Sequence, residues 1–379
     1  MLQNRQQKAI PYPPSKRTVT PRSTRYIIDI LEKLSGYTYS SATTTTKGAT
    51  ISGSSLWAGI NIGTSGKLYS IPFNAFGSLI IDPVTDTATT NTFGLSMTDT
   101  NKWYGGIYAM DDNIYTIPFN STSILKINTL KDTASLETLG ATLTGTNKWA
   151  GGTADANGSI WCTPYNAADI LKIDTIKQIA TRTTLGQTIS GTGNWAGGVA
   201  GPNGLIYNIP YNATDILIID PINETASRSS MGVDLSGAGK WSNGALGSNG
   251  LIYCAPSGAT DILIINPMDG TAFRSNLGAD LTGTAKWNGI VHGVDGKLYC
   301  IPSNASDFLI IDPKTNTAVR SNLGLSFTAT NTKFIGGNLG PDGKIYAAPF
   351  TYNLILTGGS TSQTTSIFDV GIVSDYESI

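Results

Sequence analysis

From residue 57 onward, apolar runs of five or six residues alternate with clusters of Gly, Pro, Asn, Asp and Thr, and no apolar stripe recurs at helical spacing. Residues 194–232 show the pattern in full: NWAGGVAG, a PNG turn, LIYNIP, a YNATD turn, DILIID, a PINET turn and TASRSSMG. The four runs predict four antiparallel strands, A to D. Strand A is loosened by glycine and followed by a residue pair suited to a tight hairpin. Strand B ends on a proline, which cannot donate to an interior ladder, so the chain must turn there. Strand C is a continuous apolar run of the kind covered on both faces. Strand D alternates small and polar residues, as an exposed edge does.

The pattern is periodic. Trp57, Trp103, Trp149, Trp195, Trp241 and Trp287 stand 46 residues apart, and Phe334 in TKFIGG takes the seventh place after one extra residue. Strand B carries Tyr69, Tyr115, Trp161, Tyr207, Tyr253, Tyr299 and Tyr346 at one position and ends on a proline in every copy. Four strands per 46 residues, repeated seven times, predict an all-β fold, a seven-bladed β-propeller. Strand D is found after only six of the inner strands, around Ala88, Ala134, Ala180, Ala226, Ala272 and Ala318. The seventh copy lies at the other end of the chain: SATTTTKG at 41–48 matches TATTNTFG at 87–94, placing Ala42 under Ala88. The ring is therefore expected to close with an N-terminal outer strand, the competing segment being TTSIFDVG at 364–371. The expected domains are an arm at 1–40, a propeller at 41–357 and a tail at 358–379.

The succession K-W-x-G-G, N-G or D-G, I-Y-x-I-P-x-N and L-x-I-D resembles a class of bacterial, protist and phage propeller repeats, over about residues 41 to 357. The Trp-Asp and Gly-His signatures of WD40 blades are missing, and the glycine pair is not in a kelch context. The resemblance implies the fold and no single activity, because propellers of one shape serve as enzymes, adhesins and scaffolds.

Composition agrees with this picture: 379 residues, 43 of them Gly, are 40% hydrophobic and only 13% charged. No apolar run approaches the ~20 residues that span a bilayer, and the N-terminal stretch lacks the apolar centre of a secretory signal. A soluble protein without membrane insertion is expected. Cys162, Cys254 and Cys300 share one repeat position with Ser70, Thr116, Asn208 and Ala347. The slot asks for a small side chain, and neither a disulfide framework nor a metal site is expected.

Catalytic chemistry is sparse. The single histidine, His292, precedes a hairpin turn and reads as a tolerated substitution rather than a general base, and no nucleophile elbow, phosphate loop or zinc-protease helix is present. Asp169, Asp215, Asp261 and Asp307 begin strand C where other copies have Ser78 and Ser123, which reads as a local turn cap. The expectation is no catalytic residue, no metal and no cofactor. The Trp residues are expected to wedge between blades, the alternative being rings that face the axis and stack on sugars.

The B-to-C turns and D-to-A connections emerge on one face, whose aromatic and amide groups carry little net charge. Phe119, Asn120, Tyr165, Asn166, Tyr211, Asn212 and Asn304 are the candidate binding residues there, suited to a glycan or protein and not to nucleic acid. The Asn-x-Ser/Thr pattern at Asn120, Asn212 and Asn304 reads as repeat chemistry rather than glycosylation.

Residues 1–25 hold Arg5, Lys8, Lys16, Arg17, Arg22 and Arg25 and no acid, a charge of +6 in a chain of net −1. The proline-rich stretch up to residue 22 precedes a short amphipathic helix capped by Ser23 or Thr24 and ended by Gly36. Such an arm is expected to anchor residues 1–36 to other structural proteins. The resulting expectation is a non-enzymatic structural and attachment protein of a large assembly such as a phage virion, its propeller face open to a host-surface glycan or receptor. The alternatives are a carbohydrate-binding propeller module and a propeller hydrolase or lactonase. Localisation follows as the virion, or else the cytoplasm or an extracellular site reached without a classical signal.

Overall fold

The computed structural model describes residues 39–327 and 331–359. The arm with its six basic residues and the helix expected in it, and the competing segment 364–371, lie outside the described residues.

Seven four-stranded antiparallel sheets surround one axis. In blade 1 the strands are Trp57–Ile62, Leu68–Pro72, Ser78–Asp82 and Thr87–Asn91, in the order A-B-C-D from the axis outward. Blades 2 to 6 repeat this arrangement from Trp103, Trp149, Trp195, Trp241 and Trp287. Blade 7 takes its inner three strands from Asn338–Leu339, Ile345–Ala347 and Ile355–Gly359, and its outer strand from Ser41–Thr45. Ser41 pairs with Gly359 and Thr45 with Ile355, so the N-terminal strand closes the ring as its sequence expects. The aligned alanines share a chemical role. The Ala88 N–H donates to the Lys47 carbonyl, as Ala180 does to Leu139 and Ala318 to Leu277, and Ala42 makes the same bond to Leu323 across the closure.

The core is divided among the blade interfaces rather than gathered at the centre. Trp149 of blade 3 packs with Tyr115, Ile117 and Ile124 of blade 2, and Trp287 of blade 6 with Tyr253, Ile262 and Ile264 of blade 5. All six indoles are buried, and each Nε1–H donates to a carbonyl 20 residues on, at 2.7–2.8 Å, at the start of strand C. The Trp residues are wedges, and none faces the axis. The three cysteines are free and fully buried, filling the small slot.

Each inner strand of blades 1 to 6 is bulged just after its Trp. The bulge residue, two after the Trp or Phe, has positive φ in every blade: Gly59, Gly105, Gly151, Gly197, Asn243, Gly289 and Gly336. A Cβ on Gly289 would lie 2.6 Å from the Gly336 Cα, and one on Gly59 3.2 Å from the Gly105 Cα. In six of the seven blades glycine meets this need twice over, by its backbone conformation and by the closeness of the strands at the axis, and Asn243 takes the remaining place. Among the described residues, no helix is long and apolar enough to cross a membrane.

Candidate functional site

The residue after the terminal proline of strand B stands in the same slot in every blade, at the rim of the axial opening. Five slots hold rings: Phe350, Phe73, Phe119, Tyr165 and Tyr211, in blades 7, 1, 2, 3 and 4. Neighbouring rings touch in succession, with centroids 5.5 Å apart for Phe350 and Phe73, 5.9 Å for Phe73 and Phe119, 5.6 Å for Phe119 and Tyr165, and 5.9 Å for Tyr165 and Tyr211. Phe73 is buried within the row, while the other four keep part of their surface exposed. The two remaining slots hold Ser257 and Ser303, so the rings form a crescent with a gap over blades 5 and 6.

The crescent is held by backbone. The carbonyl of every slot residue accepts an N–H from the next blade, at 2.8–3.1 Å, from Leu56 on Phe350 round to Lys333 on Ser303. In three blades where that next residue is lysine, its side chain adds a clasp. Lys148 Nζ donates to the carbonyls of Phe119, Ser121 and Gly145 at 2.9–3.0 Å, and Lys240 and Lys286 grip the equivalent three carbonyls in their blades. Burial pulls Lys102, Lys148, Lys240, Lys286 and Lys333 down to about 8. The lysine of the K-W pair was visible in the sequence only as a motif letter; its recurrence next to a buried Trp was the available signal.

The candidate residues predicted from sequence are brought together in part. Phe119, Tyr165 and Tyr211 are consecutive members of the crescent. The amide oxygens of Asn120, Asn166 and Asn212 point along the ring instead, accepting the N–H of Asn147, Gly193 and Gly239 at 2.6, 2.7 and 2.8 Å. Asn212 Nδ2 is also engaged, on the Thr192 carbonyl. Asn304 Oδ1 is buried without a partner among the described residues.

Tyr104 follows Trp103 on the inner strand of blade 2 and packs against Phe73 and Phe119, with centroids at 6.0 and 5.6 Å. Its hydroxyl accepts a hydrogen bond of 2.9 Å from Asn288 Nδ2 of blade 6, so the ring crosses the axis; Asn288 Oδ1 lies 3.5 Å from Asn243 Nδ2. An axial cavity of about 240 Å³ is lined by the inner-strand glycines together with Tyr104, Asn61, Asn243 and Asn338. This crossing leaves no local trace in the repeat, since Tyr104 stands where blades 1, 3 and 4 have alanine and Asn288 is four blades further along the chain.

The strand-C aspartates are not the turn caps their position suggested: their carboxylates accept from arginines instead of from the turn. Asp169, Asp215, Asp261 and Asp307 each pair with the arginine 13 residues on in strand D, Arg182, Arg228, Arg274 and Arg320, at 2.7–3.0 Å. Each guanidinium also lies 5.2–5.4 Å from the ring of its blade's Trp. These groups lie far from the axis, and among the described residues no three His, Cys, Asp or Glu side chains are placed to hold a metal ion. His292 ends the inner strand of blade 6 opposite Leu298, five residues from Trp287, or about 16 Å from the crescent end of that strand. Burial lowers it to about 4, so it stays neutral near pH 7. Asn203 and Asn249, in the opposite hairpins, tie the Tyr207 and Tyr253 hydroxyls to the next blade's C-to-D turn, through the Pro267 and Pro313 carbonyls.

No known family's sequence pattern matches the chain, and no curated protein matches it by sequence. Solved structures do. Virginiamycin B lyase from Staphylococcus aureus superposes with a TM-score of 0.66 at 15% identity, over 84% of this chain and 98% of that one. A catalytically inactive histidine-to-alanine form of the same lyase, with quinupristin, gives 0.66 at 14% identity over 84% and 99%. Hydrazine synthase from Kuenenia stuttgartiensis gives 0.60 at 14% identity over 83% and 98%. At such identities the likeness shows the fold, a seven-bladed propeller of four-stranded blades. It also overturns the expectation of a non-enzymatic structural and attachment body, because propellers of this architecture include lyases. That expectation rested on missing linear motifs, whereas a propeller assembles its sites from turns on different blades, which no local motif records.

Proposed function

We propose that the protein is a ligand-binding propeller that recognises a neutral carbohydrate on the aromatic crescent at the mouth of its axis. The observation that carries this reading is the unbroken contact of five rings at one repeat position, four of them part-exposed. A row of rings fixed by a closed circuit of backbone bonds offers flat apolar surface at little entropic cost, which suits the C–H face of a sugar. The seven slots hold rings and hydroxyls and no charged side chain, so a neutral ligand fits better than a phosphorylated or nucleic-acid one. Turnover of the bound sugar belongs to the test, given the enzymes that share this fold.

A panel of neutral oligosaccharides, including cellotetraose, maltotetraose and chitotetraose, is to be titrated calorimetrically into the full chain, and every binder incubated and inspected for products. Binding is expected, with a loss of about tenfold or more when Tyr165→Ala and Tyr211→Ala are combined, as removal of two stacking contacts implies. Binding that survives both changes in a folded variant would place the site elsewhere. No binding across the panel would remove the carbohydrate reading.

A further inference from the structure

Resting on that reading, we propose that the gap in the crescent over blades 5 and 6 is a polar subsite that takes a neutral donor–acceptor substituent of the sugar, such as an acetamido or hydroxymethyl group. Five slots of the ring are aromatic and two are not. Ser257 and Ser303, 7% and 3% exposed, stand where the rings stand elsewhere, and neither hydroxyl oxygen is among the buried side-chain atoms left without a partner. Two hydroxyls at neighbouring slots of the ring mouth offer donors and acceptors to a guest where the other five slots offer ring faces.

The inner strands beside the gap are polar in the same sense. Blade 6 carries Asn288 where blades 1, 3 and 4 have alanine, and its Nδ2 is spent on the Tyr104 hydroxyl. Tyr104 therefore accepts one bond and keeps its own proton available, while Asn288 Oδ1 has only the 3.5 Å approach of Asn243 Nδ2. A hydroxyl proton and an amide oxygen in the axis, with two serine hydroxyls at its mouth, match an amide or an alcohol, and the Lys286 ammonium beside Ser257 is spent on three carbonyls. The subsite thus divides the mouth by chemistry: rings over blades 7 and 1 to 4 receive an apolar face, and blades 5 and 6 receive the substituent at its edge. The orientation of the sugar on the rings follows from that division.

The test compares chitotetraose and cellotetraose, which differ at the acetamido position, on the full chain and three variants. Tyr104→Phe, which removes only the hydroxyl, and Ser303→Phe, which fills the gap with a seventh-blade-like ring, are expected to weaken the preferred saccharide about tenfold and to erase the preference between the two. Tyr211→Ala is expected to weaken both equally. Saccharide binding with an unchanged preference in Tyr104→Phe and Ser303→Phe would overturn the subsite and leave the crescent standing. Equal loss of both sugars in Tyr104→Phe would overturn it too, by making the hydroxyl a general support. A wild-type chain that binds neither sugar would overturn the crescent reading and the subsite together.

Discussion

Lys148 and its four counterparts carry the most consequential chemistry at the scale of single residues. Their ammonium groups are buried, and burial brings them to about 8 from the ordinary 10.5, so between those values the unfolded chain holds protons the folded one has released. Stability then rises with pH through that window. Buried Tyr69, Tyr115, Tyr299 and Tyr346 act oppositely: burial raises them above the ordinary 10, the unfolded chain ionises first, and stability falls beyond about pH 10. His292 sets the acid side. It is depressed from 6.5 to about 4, so stability is lost as pH falls through that range. Urea midpoints measured from pH 4 to 11 are expected to climb from 4 towards 6.5, climb again from 8 and drop above 10; a flat profile from 8 to 10 would mean that the carbonyls around these ammoniums offset their burial. The axial glycines give a second expectation. Gly289→Ala meets both positive φ and the Gly336 backbone, and is expected to cost at least about 1–3 kcal/mol from strain alone. Asn243→Gly, at the one position of that ring with a side chain, should leave stability nearly unchanged, which thermal melts of the two variants would check.

At the scale of the element, the closing strand is the part on which the ring depends. Ser41–Thr45 supplies the outer edge of blade 7, Ala42 bonds to Leu323 of blade 6, and Tyr39 reaches further, its hydroxyl accepting the Val294 N–H and donating to the Gly343 carbonyl. Removal of residues 1–36 is expected to leave the melting temperature unchanged, and removal of 1–50 to lower it by several degrees or more, since the latter strips a strand from one blade and reopens the ring. Equal melting temperatures would contradict the closure. This element was legible in the sequence because period and register are local: a 46-residue offset and one alanine were enough to assign a strand to a blade 300 residues away. The Arg on strand D was equally visible in TRT, SRS and FRS. Its pairing with the aspartate was not, because a turn aspartate has a local bond open to it and only the cross-strand register decides between the two.

For the whole molecule, the repeat fixes where each slot sits, and departures from the repeat give the site its character. Phe119, Tyr165 and Tyr211 could be placed on one face from their turns, and Ser257 and Ser303 occupy the same repeat slot, whereas the bridge from Tyr104 to Asn288 arises only when blade 2 faces blade 6 across the axis. Local sequence carries no record of that opposition. The account makes the mouth at the B-to-C turns the place of binding, and hydrogen exchange of the full chain with and without a saturating saccharide from the panel tests this most directly. Protection is expected at peptides covering 73–76, 119–123, 165–168 and 211–214 and the inner strand at 103–108, with the opposite hairpins at 109–113, 155–158 and 201–204 unchanged. Protection confined to those hairpins, or to the outer strands, would contradict it.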